Sequence, residues 1–503
     1  MIAIRRLSRS WVAPVCVAAT CVAAGLLASA RVDGLGPLAN PSFHLLTSLP
    51  LPVYPIGVVA VVAALVAIRN WWVGLAVFIG WLPFEDLLRK FTNNDLRVYF
   101  VKDALLMLAL YALAPRLKGC WRAPLGAVWL PTIGIFTFAL VYAVPAAIVD
   151  PAVPIIGIHG RFLYAVLFPV GAFIAGDLER LRRTLLALAM FASGVCALGV
   201  VQSLVGPTFL NPSLQSAPFA HLVVTKTLGA TSVVRPSGTF ADVSRFASMT
   251  IVATALAVAA FRVANTAFRR RAAGVAIVIS VVGAYASGSR TSILLAPIVA
   301  LIGLMSLREN AVRTLLRTAA VLVVAAIGVV AIGGALQAQS VDRLSLYVGT
   351  LDPASPTFEV GDRIQKYSAN AGIGVRFGGV LGHGTGTEAI GKRYLNLVET
   401  ASTVESGWGA VASEWGILGF CLWVLWCLLW SAKAIKSCLG RKDAVAGLGP
   451  PLATFIITLL FVQFSLGSGF LDNYISNIFF WLLSGVLFGS AAIARSPAQI
   501  GSS

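Results

Sequence analysis

The sequence predicts an all-α, polytopic integral membrane protein with about fourteen transmembrane helices, or roughly twelve to fourteen once short and paired runs are allowed for. Three observations carry this. The 503 residues are 58% hydrophobic and 12% charged, with a mean hydropathy of +0.87, whereas soluble globular chains carry about twice that charged fraction. Apolar runs near the length needed to cross a bilayer recur along the whole chain. The connections between them alternate in charge, as the positive-inside rule requires.

The runs fall at about 11–30, 52–68, 71–84, 98–115, 126–146, 160–176, 184–205, 243–262, 272–288, 291–306, 316–337, 404–432, 446–468 and 474–494. The first follows a basic start and closes on Ala28-Ser29-Ala30, a pattern that mimics a signal cleavage site. So many spans follow it that a retained first helix is the expectation. With the N-terminus inside, the inner connections include "PRLKGCWR", "GDLERLRR", "RVANTAFRRR", "LRENAVR" and "KAIKSCLGRKD", in each of which basic residues outnumber acidic ones. Both termini then lie in the cytoplasm. The outer connections are longer: 31–51, 85–97, 147–159, 206–242 and 338–403. The chain is thus organised as N-terminal spans within 1–337, including the loop 206–242, then a large outer loop at 338–403 between two late helices, then C-terminal spans within 404–503.

Composition also excludes. The net charge of +18 is scattered over helix ends, where it faces anionic lipid, and forms no single patch for nucleic acid. The seven cysteines make no CxxC pair and avoid the long loops, so neither a disulfide framework nor a metal site is indicated. Walker A, H-E-x-x-H and G-x-S-x-G motifs are all missing from the sequence.

What remains is a set of polar groups on the outer side. "HGRFLYAVLFP" puts Arg161 at the mouth of a span, "VVRPSGTFADVSRFASM" puts Arg235 in a Pro-Gly turn and Arg245 about one turn into a helix, and "ASGSRTSILLAP" puts Arg290 in a tight hairpin. The 338–403 loop adds Arg363 and Arg376 among others, and His383 within "GHGTGTE". Arginine at membrane depth is costly unless it faces protein or water, so such residues mark sites or pathways. Snorkelling to the headgroups is the bland alternative, strongest for Arg161. Around Arg290 the small hydroxylated residues suit an anion at a helix N-terminus, and several guanidiniums on one face suit phosphate or diphosphate. "EDLLRKFTNNDLRVYFVKD" balances its charges, which reads as a structural ion-pair network or as an amphipathic guide for a lipid-linked substrate. For "GHGTGTE" the readings are a plain loop turn or a flexible cover over substrate.

The stretch "TVESGWGAVASEWGILGF", 403–420, places Glu405 and Glu414 near or inside an apolar run. Ser402 and Glu405 fit a capping box at a helix start, and Glu405 also suits the macrodipole there. Glu414, nine residues on, lies about half a turn around the helix, so the two are no dyad. Glu414 is expected to be a structural acid paired with a buried donor. Gly409, Ala412, Gly416 and Gly419 form a small-residue stripe for close helix approach.

Taken in order, "LPFEDLLRK…VKD", "RPSGTFADVSRFASM", "SGSRTSILLAP" and a long outer loop ending "GGVLGHGTGTE" before the 403–420 stretch resemble the O-antigen ligase and O-antigen polymerase superfamily of bacterial envelope proteins, over about residues 80–490. The resemblance implies a GT-C-like glycosyltransferase of the inner membrane. Such enzymes work at the periplasmic face on an undecaprenyl-diphosphate-linked oligosaccharide, with no metal, nucleotide or other cofactor. It assigns the diphosphate to Arg235, Arg290 and Arg363, leaves Arg161, Arg245, Arg376 and His383 as further substrate-binding candidates, and allows a co-polymerase or chain-length regulator as partner. Ligases read roughly H-N-x-x-L where this chain has Glu405-Ser406, followed by E-x-G-x-x-G, here Glu414 to Gly419. A carboxylate in place of the histidine resembles exopolysaccharide polymerases, with Glu405 as general base. The alternatives are an O-antigen ligase acting on lipid A–core and, from another class, a transporter or flippase of lipid-linked saccharide.

Overall fold

The computed structural model describes residues 70–91, 96–117, 126–150, 152–206, 209–211, 224–228, 231–305, 360–389, 404, 406–439, 445–463 and 473–493. Within them the chain is overwhelmingly helical. In order come α1 (Trp71–Phe91), α2 (Leu96–Leu117), α3 (Gly126–Val141), α4 (Ala143–Val149), α5 (Ala152–Phe162), α6 (Leu167–Ala175) and α7 (Leu178–Val205). A two-stranded sheet, β1 (Val224–Leu228) with β2 (Thr231–Arg235), lies inside the 206–242 loop and is the described exception to an all-helical chain. Then follow α8 (Val243–Val263), α9 (Ala267–Ala286), α10 (Arg290–Leu304), α11 (Val360–Gly378), α12 (Gly407–Cys438), α13 (Gly449–Ile457) and α14 (Tyr474–Ile493), with a π-helical turn, Thr458–Gln463, continuing α13.

Seven stretches among the described residues are long and apolar enough to cross a membrane: Trp71–Lys90, Leu130–Ile148, Val153–Ala175, Leu178–Val205, Val243–Val263, Gly407–Cys438 and Tyr474–Ala491. The chain is therefore a helical membrane protein. The expected spans at 98–115 and 272–288 form helices, α2, which carries Lys102 and Asp103, and α9, which opens with Arg269–Arg271 ahead of the apolar run. Arg290–Leu304 and Ala446–Val462 are apolar and shorter. The spans expected at 11–30, 52–68 and 316–337 lie outside the described residues.

The chain divides into two compact units. The first comprises Met1–Lys118, Gly194–Lys226 and Val234–Phe246; the second comprises Gly119–Ser193, Thr227–Val233 and Ala247–Ser503. In the first, α1 packs along α2. In the second, α14 packs along α6 through glycines: Gly485 meets the Phe168 carbonyl, Gly171 the Leu482 carbonyl and Gly489 the Ala172 backbone. Without a hydrophobic drive between helices in lipid, such close backbone approach maximises packing contacts. Every described residue of α14 up to Ala491 is buried, which makes it the axis of that unit's core.

Candidate functional site

In the first unit, a buried charge cluster forms where α1 and α2 meet the turn "RPSGTF". Glu85 and Asp86 are fully buried beside Arg89, Lys90 and Lys102, which are exposed by no more than 1%. Lys102 Nζ donates to Glu85 Oε1 at 3.3 Å, Arg89 Nη1 to Asp86 Oδ1 at 3.1 Å, and Arg245 Nη1 to both Asp86 oxygens at 2.7 Å. Lys90 takes neutral acceptors, donating to Ser237 Oγ at 2.9 Å and to the Gly238 carbonyl at 2.8 Å. The turn is held from its other side by Gln202, whose Oε1 accepts the Gly238 N–H at 2.6 Å. Gly238 sits at φ +58°, in the left-handed region open to glycine at little cost, and packs on Phe246, which also fills the space beside Gly199. Four cations thus gather with the buried acids Glu85 and Asp86 directly behind the turn that carries Arg235, with Asp103 acting on Lys102 from the side.

Arg235 ends β2 and is half-buried, while Arg245 is the third residue of α8. In the sequence, Lys90 stands within the charge-balanced segment 85–103 with nothing local to set it apart. Its role comes from a turn 147 residues away, onto which it folds.

In the second unit, Arg161 and Glu414 form a planar fork. Arg161 Nη2 donates to Glu414 Oε1 at 2.8 Å, and Nη1 donates to Oε2. Arg161 is 2% exposed and Glu414 is fully buried. The guanidinium carbon lies 5.5 Å from the Trp415 ring centroid, a cation–π distance. Arg161 therefore does not reach out to headgroups as a snorkelling side chain would. Its backbone is held in turn by Asn477 of α14, whose Nδ2 donates to the Gly160 carbonyl at 2.6 Å.

The fork is built into a broken helix. At Gly416 the backbone of α12 turns to φ +65°, ψ −170°, interrupting the helix. The Ile417 N–H, which would bond the Ser413 carbonyl in a regular helix, donates to the Gly379 carbonyl at 3.0 Å instead. The carbonyls left behind are taken by the strap 379–389: His383 N–H donates to Ser413 O at 3.0 Å and Gly384 N–H to Glu414 O at 2.8 Å. Thr385 ties the strap to α3, its hydroxyl donating to the Ala139 carbonyl at 2.7 Å and accepting from Trp415 Nε1 at 2.9 Å. Glu388, missed as a site residue in the sequence, is 6% exposed. Its N–H donates to Glu414 Oε1 at 2.9 Å, and its Oε1 accepts from Ser413 Oγ at 3.0 Å. "GHGTGTE" is thus neither a plain turn nor a loose cover, but the partner of an interrupted membrane helix. The small-residue stripe serves the same element: Gly409 faces Gly374 of α11, Ala412 faces Gly378, and Gly416 faces Val380.

Other predicted residues are placed separately. Arg290 is the first residue of α10 and half-buried. It follows a turn in which Gly288 has φ +64° and the Ser287 and Ser292 hydroxyls lie 2.8 Å apart. Arg376 and His383 are exposed; the His383 ring lies 4.5 Å from that of Phe377. Arg363 falls within α11, and its side chain is outside the described set. Glu405 itself lies outside the described residues. The helix start beside it differs from expectation: the N-cap of α12 is Ser406, whose Oγ accepts from Gly409 N at 3.0 Å, four residues after Ser402. Among the described residues no group of three or more His, Cys, Asp or Glu is placed to hold a metal ion. No protein-family model matches the chain, and no curated protein matches it.

Proposed function

We propose that this protein is a bacterial inner-membrane polymerase of exopolysaccharide, capsule or O-antigen. In this reading it is a GT-C-like glycosyltransferase with about fourteen spans, both termini in the cytoplasm and its active site at the periplasmic face. The observation that carries the reading is the cation excess behind the Arg235 turn, where four cations face the buried Glu85 and Asp86 and the neighbouring Asp103. An excess of that sign at a membrane interface suits a ligand that is itself a lipid-linked anion. The motif resemblance, in order and topology, supplies the chemical class.

In the proposed reaction, a hydroxyl of the acceptor repeat attacks the anomeric carbon of an undecaprenyl-diphosphate-linked glycan. The new glycosidic bond forms as the carbon–oxygen bond to the diphosphate breaks, with inversion. Glu405 takes the hydroxyl proton as general base. The departing undecaprenyl diphosphate keeps the bonding electron pair, and Arg235, Arg290 and Arg363 stabilise its charge. The guanidiniums do the neutralising work that a metal performs elsewhere, so the proposal assigns no cofactor. A co-polymerase partner would set chain length without entering the chemistry.

The test replaces Glu405 with Gln and, separately, Arg235 and Arg290 with Ala, with membrane insertion confirmed for each. Glycan chain length is then examined in the host. Loss of long polymer with unassembled repeats accumulating supports the site; long polymer persisting in all three variants refutes it. Long chains that form but fail to reach lipid A would make the protein a ligase instead. Movement of a labelled lipid-linked repeat across the bilayer without bond formation would make it a flippase.

A further inference from the structure

The second unit carries a concentrated basic corner that the proposed chemistry does not use. It is made by the start of α7, residues 177–183, and by the α8–α9 junction, residues 262–271. These contain Arg180, Arg182, Arg183, Arg262, Arg269, Arg270 and Arg271 against Asp177 and Glu179, seven arginines to two acids, an excess of five positive charges. The segments are physically joined. Arg269 donates to Glu179 at 2.6 and 3.0 Å, Arg183 reaches the same carboxylate at 2.8 Å, and Arg182 Nε donates to the Val263 carbonyl at 2.8 Å. Arg262 reaches the Gly447 carbonyl at 3.4 Å. One carboxylate is therefore shared by two guanidiniums, while others spend hydrogen bonds on main-chain carbonyls that carry no net charge.

Helix stability does not explain this composition. Arg269, Arg270 and Arg271 stand in the first turns of α9, where the macrodipole disfavours cations, and the first turn holds no acid. Arg270 and Arg271 are exposed, and Phe268 between the same turns is 71% exposed. An aromatic ring beside arginines at the end of an apolar helix is the composition of a membrane-interface anchor, with the ring toward the acyl chains and the guanidiniums at headgroup level.

We infer that this corner is a binding surface for the headgroup phosphate of an anionic phospholipid, with Arg270 and Arg271 as its outer contacts and Phe268 as its apolar anchor. The surface is independent of the proposed glycosyl transfer and stands or falls without it. The experiment uses the purified full chain in detergent and titrates phosphatidylglycerol or phosphatidylcholine, with retained lipid read by native mass spectrometry. Phosphatidylglycerol should be retained in preference to phosphatidylcholine, and added salt should erode the preference. The exposed pair Arg270→Gln/Arg271→Gln should lower apparent phosphatidylglycerol affinity about thirty-fold, taking roughly the known contribution of each interfacial cation. Phe268→Ser should weaken both lipids alike. Equal retention of the two lipids, or an undiminished preference in the double variant, overturns the inference. So does competition by inorganic phosphate at concentrations equal to the lipid, which would make this a free-anion site.

Discussion

In the first unit, Arg89, Lys90, Lys102 and Arg245 are buried or nearly so with two acids, Glu85 and Asp86; in the second, one guanidinium, Arg161, is buried with two carboxylates, Glu414 and Glu388. Both arrangements take charge out of water and lipid contact, at a cost of several kcal/mol per ion before pairing. They recover it differently. The first spreads its bonds over a network in which Asp86 serves two arginines and Lys90 leans on neutral acceptors. The second concentrates recovery in one planar fork wedged beside a helix break. A network degrades by parts, whereas a fork fails at once.

The largest effect should therefore come from the fork. Removing one partner strands the other in the interior, so Arg161→Met or Glu414→Gln should each cost about 3–5 kcal/mol, read as thermal unfolding of the detergent-solubilised chain. The double replacement Arg161→Met/Glu414→Leu should recover part of that loss, because neither member of the fork is left charged, while Glu388 stays buried with Ser413 as its donor. A double variant as unstable as the sum of the singles would mean that the two residues act separately and that the fork does not fail as a unit.

Next in size is the break itself. Gly416 at φ +65°, ψ −170° occupies a region essentially reserved for glycine, and a Cβ there would meet the Val380 carbonyl. Gly416→Ala should cost about 1–3 kcal/mol and should raise protease cleavage within 379–389, where the strap loses its seat. Stability lost without new cleavage would separate the break from the strap.

The network should yield less to a single change. Asp86→Asn keeps the shape and removes the charge that Arg89 and Arg245 share, with Glu85 still nearby at 4.0 Å from Arg89. A loss of about 2 kcal/mol is expected, the scale of a charged hydrogen bond, on the same thermal assay. A loss as large as that of Glu414→Gln would show that sharing gives no protection.

How far these features were legible in the sequence follows from the range of the forces involved. Apolar length is a local property, so helices at α1, α7, α8, α12 and α14 could be placed from composition alone. The 85–103 segment announced its ion pairs because the partners Glu85, Arg89 and Lys102 are close in sequence or of matching count. Arg161 with Glu414 was not legible, since 253 residues separate them and neither end carries a local signal naming the other. The same holds for Glu388, hidden in a glycine-rich loop whose purpose depends on carbonyls released elsewhere. By size, Gly416 is a small residue for helix packing. It is also the residue that stops the helix, a distinction that depends on backbone angles and not on size.

The smallest expected effect tests where α12 begins, and with it the place of Glu405. Spacing alone offers Ser402 as a cap with Glu405 closing the box, three residues into the helix. The structure caps with Ser406, 1% exposed, whose hydroxyl accepts the Gly409 N–H, so α12 begins at Gly407, four residues later than a Ser402 cap would start it. Ser406→Ala should cost about 1 kcal/mol, because Gly409 is buried, and its N–H would lose the Ser406 hydroxyl it donates to. Ser406→Asp should restore most of the loss, since its carboxylate can accept the same bond, and Ser402→Ala should leave the unfolding midpoint unchanged. The reverse pattern, a sensitive Ser402 and a silent Ser406, would return Glu405 to a capping role. Its charge would then be spent on the helix's own amides, and its standing as a base for glycosyl transfer would weaken accordingly.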